Sequence, residues 1–364
     1  ESIVYQLKDS AGVLHESNGL IAAGQYQVVP NVKLIESMLE PGDSVNYAVR
    51  YVLANAIVNK ANSEISIIGG EFTYDGTPKT AAGFAYGVHG IGDVLSPAVT
   101  FTYLPGVTAP IEIGTYEVTA HYAGNNNYKP SMSTAYITIV CPSAPVIQSF
   151  ETANGSGSSS PVIINQPSGT TAGDLLIVGL VYEKGTSTTI TPPAEWKLIR
   201  ATNKNNQVGL ATYFKVAGGG EPSSYVFDLS SSPKWSIGIT RVQGADTDNP
   251  IDAHNGNDGN KSYTADAPSI ITNSCNALVM TFYANKRDAT WSPASGTLEV
   301  YDAPNYQNGL TSNMMAYYIQ SDKGETGVKT ATATINEVWV AQQISIRPRQ
   351  SRTGAAAGRS ATTE

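Results

Sequence analysis

Short runs in which apolar and polar residues alternate cover most of the chain, and Gly, Pro, Asn and Asp separate them. Clear examples are residues 115–122, 175–182 and 338–346. Alternation with a period of two places the apolar side chains on one face of a strand, and frequent turn residues favour antiparallel pairing. Residues 32–39 differ, because their apolar positions have helical spacing. The pattern therefore predicts an all-β chain with one short helix.

One local pattern occurs twice in the first 140 residues. Residues 22–29 and 112–119 both contain Gly-x-Tyr at the start of an alternating run. Each run is followed by an Asn-Tyr pair, which is Asn46-Tyr47 in one case and Asn127-Tyr128 in the other. Self-similarity of this kind predicts tandem modules of one type.

The recurrence and the composition of the connecting segments predict four parts. A Pro-containing connector follows residue 140, and the last residues are rich in Gly, Ala, Ser and Thr without an apolar period. The predicted parts are the C-terminal part of a repeat at 1–63, a complete repeat at 64–141, a β-sandwich at 142–348 and a linker or disordered tail at 349–364.

Composition excludes several classes of protein. The hydrophobic content of 41% is enough for packed cores, although charged residues make up only 14% of the chain. A net charge of −8 argues against a nucleic-acid groove, which needs clustered Lys and Arg. Since no apolar run approaches about 20 residues, we expect no membrane span.

The second module resembles a known family. The resemblance rests on residues 72–79 (Phe-Thr-Tyr-Asp-Gly-Thr-Pro-Lys), 108–110, 114–124 and Asn127-Tyr128. In this order these segments are similar to the MBG repeat, an immunoglobulin-like module of bacterial surface proteins. Residues 1–59 resemble the back half of such a repeat. The resemblance implies that both modules are spacers.

Residues 142–348 resemble, more loosely, a jelly-roll-like β-sandwich module of secreted bacterial multidomain proteins. The similarity is carried by residues 172–178, 192–196, 213–217 and 241–246. It implies a fold similar to that of lectins and carbohydrate-binding domains. The predicted fold class is thus all-β, with two tandem immunoglobulin-like modules, the first truncated, and a larger jelly-roll-like sandwich.

Aromatic residues among turn residues are candidates for stacking on sugar rings. Trp291, Tyr301 and Tyr306 have such surroundings. An aromatic face packs on a C–H-rich sugar face without needing charge. The alternative for each is a structural side chain in the core.

A second candidate is the oxygen-rich segment that holds Asp246, Asp248, Asn249 and Asp252. Six to eight oxygen ligands are what Ca²⁺ takes, so this segment could hold a structural calcium ion. The alternative is a turn in which Asp and Asn side chains bind their own backbone. We expect no other cofactor.

Cys141 and Cys275 are the two cysteines of the chain. They form either one disulfide or two buried thiols, because sequence alone does not give the geometry that a disulfide needs. Glu195 and Glu221 could be read as a glycosidase pair, but no third feature supports catalysis. We therefore predict that the chain is not an enzyme.

The combined prediction is a fragment of a long adhesin-like protein that is secreted or attached to the cell surface. Its repeats would form a stalk, and its sandwich a head that binds a glycan or another cell-surface partner. Neighbouring repeats of the same polypeptide are further predicted partners. The alternative is a purely structural subunit or spacer of an extracellular fibre or sheath.

Overall fold

The structure is a computed structural model, and it describes residues 5–16, 21–30, 53–155, 161–304 and 311–350. Apart from one 3-10 turn at Gly185–Ser187, every regular element in these ranges is a strand. The predicted all-β, sandwich-type fold is confirmed, whereas the predicted helix at 32–39 lies outside the described residues. The chain forms two compact units, Glu1–Val140 and Cys141–Arg352, which we call unit 1 and unit 2.

The first module of unit 1 contributes one antiparallel sheet among the described residues. Its strand order is β2-β1-β3-β4. The predicted truncation of this module stays a prediction. The strands are Tyr5–Lys8 (β1), Leu14–Glu16 (β2), Gly24–Pro30 (β3) and Ala54–Val58 (β4).

The second module of unit 1 is a sandwich of two sheets, with strand orders β5-β7-β8 and β6-β11-β10-β9. Side chains that point inward from alternate positions, such as Val118, Ile137 and Ile139, are buried in its core. The strands are Glu64–Ile68 (β5), Gly70–Thr73 (β6), Ala82–Gly87 (β7), Gly90–Val94 (β8), Thr100–Leu104 (β9), Gly114–Tyr122 (β10) and Ser131–Val140 (β11).

The repeated Gly-x-Tyr pattern forms the same local structure in both modules. The hydroxyl groups of Tyr26 and Tyr116 each donate a hydrogen bond to the carbonyl oxygen four residues upstream. A Cβ atom added to Gly24 or Gly114 would lie 3.4 Å from the Tyr ring two residues later. This is the arrangement of a tyrosine corner, which fixes a chain reversal in immunoglobulin-like sandwiches.

Unit 2 contains two repeats of one topology, whereas the sequence pattern predicts one sandwich at 142–348. The first repeat comprises Val146–Gly155 (β12), Val162–Asn165 (β13), Leu175–Glu183 (β14), Ile190–Thr191 (β15), Lys197–Lys204 (β16), Val208–Val216 (β17), Ser224–Leu229 (β18) and Trp235–Gln243 (β19). The second comprises Ile251–Ala267 (β20), Ile271–Thr272 (β21), Ala277–Asn285 (β22), Trp291–Ser292 (β23), Leu298–Pro304 (β24), Ser312–Gln320 (β25), Gly324–Glu325 (β26) and Lys329–Ile346 (β27).

The large sheets of the two repeats have equivalent strand orders, β12-β19-β14-β17-β16 and β20-β27-β22-β25-β24. Smaller details also match. Gly155 pairs with Trp235 in the first repeat, and Gly259 pairs with Trp339 in the second. In the first repeat β13, β18 and β15 form a separate small sheet, whereas the ends of the long strands β20 and β27 pair there in the second. The repeats are therefore two copies of one sandwich design.

The two large sheets share one core. A single apolar cluster contains side chains of both repeats, including Leu175, Ile177, Phe282 and Ile344. Two further apolar clusters lie on the outer sides of the large sheets, one on each sheet. The central strands β14 and β22 are thus buried on both faces. This double burial explains their nearly continuous apolar sequences, since neither face meets water.

A pair of glycines allows the repeats to approach closely. Gly179 and Gly238 are register partners on β14 and β19. A Cβ atom on Gly179 would lie 2.8 Å from Phe282, and one on Gly238 would overlap the ring of Tyr301. Both aromatic side chains belong to the second repeat. Glycine within a strand marks close approach of another group, and here the glycines form a hollow for these two rings.

Candidate functional sites

The aromatic candidates for glycan stacking are core side chains where the structure describes them. Trp291 is 6% exposed and its indole N–H donates to the hydroxyl oxygen of Ser312, 3.0 Å away. Tyr301 is 4% exposed and lies in the glycine hollow. The interpretation of these two residues as ligand-binding was wrong, because a sugar cannot reach a ring that neighbouring strands cover. Tyr306 lies outside the described residues.

The oxygen-rich segment forms turns and an ion pair. Oδ1 of Asp246 accepts hydrogen bonds from the backbone N–H groups of Asp248 and Asn249, at 2.8 and 2.9 Å. Asp252 is turned away and pairs with Arg347, with 3.0 Å between Oδ1 and Nη2. Among the described residues no three His, Cys, Asp or Glu side chains are grouped to hold a metal ion. The geometry is that of the turn alternative, and it does not support the predicted calcium site.

Glu195 and Glu221 both contact Lys215, at 3.0 and 2.9 Å. Burial raises the pKa of Glu221, but hydrogen bonds from the Gly218 N–H, Lys215 and Tyr225 outweigh it and leave the pKa below its usual value. A general acid needs a proton near neutral pH. Glu221 is held as a carboxylate instead, and it orders the loop after β17.

Cys141 and Cys275 are joined by a disulfide, with their Cα atoms 6.0 Å apart. Cys141 directly follows β11, the last strand of unit 1, and Cys275 lies in the loop before β22. The amide of Asn276 donates to the carbonyl oxygen of Pro142 at 2.9 Å. The connector at the start of unit 2 is thus attached to the second repeat both covalently and by a hydrogen bond.

An ion pair stands beside this disulfide. The side chain of Asp252 is fully buried, and its Oδ2 accepts from the N–H groups of Asn273 and Ser274 at 2.8 and 3.2 Å. Its Oδ1 pairs with Arg347, the residue after β27. The backbone N–H of Arg347 in turn donates to the carbonyl of Pro250 at 2.8 Å. We call the disulfide and the Asp252–Arg347 pair the entry–exit clamp.

The second module of unit 1 has its second and last strands, β6 and β11, side by side. β6 pairs with β11 in parallel, from Gly70 opposite Ile137 to Thr73 opposite Val140. The N–H of Tyr74 extends this ladder by donating to the carbonyl of Val140 at 2.8 Å. The strands near the entrance and the exit of the module are therefore joined directly by backbone hydrogen bonds.

The joint between the two modules of unit 1 is also closed by hydrogen bonds. Ala61 donates to the carbonyl of Asn127 and accepts from the N–H of Lys129, both at 2.8 Å. Ser63 adds a hydroxyl bond to the carbonyl of Lys129, and Ala23 donates to the side chain of Asn127 at 3.0 Å. The Asn-Tyr pair that the sequence analysis singled out thus belongs to the turn that holds the joint.

One buried carboxylate in unit 2, that of Asp302, has few groups that stabilise its negative charge. Burial raises the pKa of Asp302 to about 6, and the charges of Glu299 and Asp288 add to the rise while the N–H of Trp291 opposes it. Oδ1 of Asp302 is buried without a hydrogen-bond partner. The protonated form is therefore favoured in the folded state more than in the unfolded state.

Substitution of Asp302 by Asn is expected to change how stability depends on pH. The protonated side chain of Asp302 contributes to the stability of the fold. This contribution is fully present below the ordinary pKa of 3.8 and is lost as the pH rises through about 6. The amide stays neutral and keeps an oxygen for the Trp291 N–H. The variant should gain about 2–3 kcal/mol over the wild type at pH 7.5 but nothing at pH 3.5. Denaturant unfolding across this range measures the difference.

The matched control is Asp228→Asn, which removes one negative charge from an exposed position of unit 2. It should leave the pH dependence close to that of the wild type. If the free energy of unfolding of Asp302→Asn differs from that of the wild type by the same amount at every pH from 3.5 to 7.5, the raised pKa of Asp302 is contradicted.

Comparisons with protein-family models, with curated proteins and with solved structures found no match. In the part of the chain that the structure describes, no helix is long and apolar enough to cross a membrane.

Proposed function

We propose that this chain is a tension-carrying structural element of an extracellular bacterial fibre or surface protein, without a small-ligand site. It develops the structural alternative given above, a subunit or spacer of an extracellular fibre or sheath. The observation that carries the proposal is the parallel ladder between β6 and β11 in the second module. Tension applied through the chain would pull these two strands in opposite directions along their length.

The direction of pulling decides how the hydrogen bonds of a strand pair break. Parallel strands near the two ends of a module slide past each other when they are pulled from opposite ends, so all bonds of the ladder must yield together. An antiparallel pair that is pulled from one end opens one bond at a time. Gly70–Thr73 and its partner are loaded in the first way. The ladder therefore supports a role in resisting force.

Two further observations support this function. The hydrogen bonds of Ala61 and Ser63 close the joint between the modules, so tension would pass through ordered backbone. Disulfides such as Cys141–Cys275 persist in oxidising surroundings outside the cytosol. A secreted or cell-surface location is accordingly part of the proposal, in keeping with the resemblance of residues 64–141 to surface-protein repeats.

An adhesive head is the competing function, and the structure weakens its basis. Trp291 and Tyr301 were two of the three residues on which glycan binding depended, and both are buried. The oxygen-rich segment is used for turns and for the pair with Arg347. We therefore assign unit 2 a structural role in this proposal.

Single-molecule stretching tests the proposed function. The full chain is pulled through its ends, and the unfolding event of the second module is recognised by the roughly 250 Å of chain that it releases. In the comparison, handles are attached at positions 100 and 121, which are register partners at the open end of β9 and β10. Pulling through the ends should require a several-fold higher force at the same loading rate.

The comparison uses the same module in both directions, so its thermodynamic stability is held constant. An equal or lower rupture force through the ends would overturn the proposal, because the β6–β11 ladder would then give no mechanical advantage. Strong binding of the chain to one class of glycan on an array would also overturn it.

A further inference from the structure

The chain enters and leaves unit 2 at the same end of the body. β12 starts at Val146, which pairs with Gln243 at the end of β19. β27 stops at Ile346, which pairs with Ile251 at the start of β20 and with Leu278 near the start of β22. All of these strand ends lie at one end of their sheets, because the neighbouring strands are antiparallel.

Covalent and ionic contacts close this end. The disulfide connects Cys141, at the entrance, to Cys275, directly before β22. Asp252 then connects the loop of Asn273 and Ser274 to Arg347, at the exit. A continuous set of contacts thus runs from the entrance to the exit without passing through the body of unit 2.

We propose that the entry–exit clamp keeps unit 2 out of the line of tension. Force that arrives at Cys141 crosses the disulfide to Cys275 and reaches Arg347 through the buried carboxylate of Asp252. The enclosed residues, which contain the whole first repeat, carry no tension. This inference rests on the proposed function, since it describes how a chain that carries tension protects one of its units.

The clamp has a defined weak point. Leu278 and Ile346 form the register pair nearest to the clamp on β22 and β27. Tension between Cys275 and Arg347 therefore loads this antiparallel pair from its end, and its hydrogen bonds would open in sequence. The Asp252–Arg347 ion pair and the hydrogen bonds from the loop to Asp252 must break before these two strands can separate. We infer that Asp252 sets the force at which the second repeat starts to open.

Stretching of the full chain through its ends tests the clamp, with oxidised and reduced samples compared. The disulfide joins residues 134 positions apart, so the oxidised chain should release about 450 Å less length than the reduced chain. Reduction is done on the folded protein, and Cys141→Ser provides an independent sample. The inference is overturned if oxidised and reduced chains release the same length.

Substitution of Asp252 by Asn tests the ionic part of the clamp. In the oxidised chain this variant should keep the released length and lower the opening force of the second repeat. Asp322→Asn, at an exposed position of the same repeat, is the control and should leave the force unchanged. An unchanged opening force in Asp252→Asn would overturn the role of this ion pair.

The two proposals fail in different ways. Failure of the tension-carrying function would appear as a low rupture force for the second module of unit 1. Failure of the clamp would appear in the length or opening force of unit 2, whatever the strength of unit 1.

Discussion

Replacing Phe282 by Ala is expected to lower the free energy of unfolding of unit 2 by about 3–5 kcal/mol. The side chain is fully buried in the core that both repeats share. It packs against Gly179, where the backbone of β14 comes close to the ring. Truncation would leave a cavity in the core between the two large sheets.

The measurement is denaturant unfolding of the full chain, followed by a signal from unit 2. Tyr263→Ala is the control, because it also truncates an aromatic side chain of unit 2, and Tyr263 is 55% exposed. It should cost less than about 1 kcal/mol. If Phe282→Ala costs no more than this control, the two sheets do not pack as described.

Loss of the disulfide has the second large expected effect, a decrease of about 4–5 kcal/mol in the stability of unit 2. The bond between Cys141 and Cys275 closes a loop of 134 residues. In the chain-entropy account the stabilisation grows with the length of the closed loop, since the cross-link restricts the unfolded chain. Few single changes elsewhere in unit 2 should match this effect.

Unfolding of the oxidised protein is compared with that of the double variant Cys141→Ser, Cys275→Ser. Reduced wild-type protein is the matched control and should unfold like the double variant. An unfolding midpoint that is the same with and without the bond would contradict the expected stabilisation. Labelling of free thiols in the denatured protein checks that the bond was formed.

The strand content and the modular repeat could be predicted from the sequence because both are local. Alternation with a period of two follows from one face of each strand being buried. The Gly-x-Tyr pattern was visible twice because Tyr26 and Tyr116 make the same bond within four residues of themselves. Interactions of this short range leave a signature in the order of residues.

The duplication in unit 2 left no comparable signature. Outside the shared Gly–Trp pairs, equivalent positions keep their burial and change their identity: Gly179 of the first repeat corresponds to Phe282 of the second, and both are buried. The second repeat also joins strand ends that are separate in the first, so β20 and β27 are long. The topology is thus the same in both repeats, although their residue patterns differ.

Trp291 and Tyr301 were predicted to be accessible and are buried, because turn residues beside an aromatic do not determine its exposure. Trp291 belongs to a strand of two residues that is too short to show a period. Tyr301 follows a register shift in β24 and points into the glycine hollow of the other repeat. Trp291 is buried by distant strands of its own repeat and Tyr301 by the other repeat, and nothing local in the sequence reports either set of contacts.

The shared core is the feature on which the expected stability of unit 2 depends, and native-state hydrogen exchange tests it most directly. Amides of β14 and β22 are compared in the wild-type chain and in Phe282→Ala, at increasing denaturant. One shared core predicts that both strands exchange through the same opening and lose the same free energy in the variant. Loss of protection in β22 alone, with β14 unchanged, would contradict it.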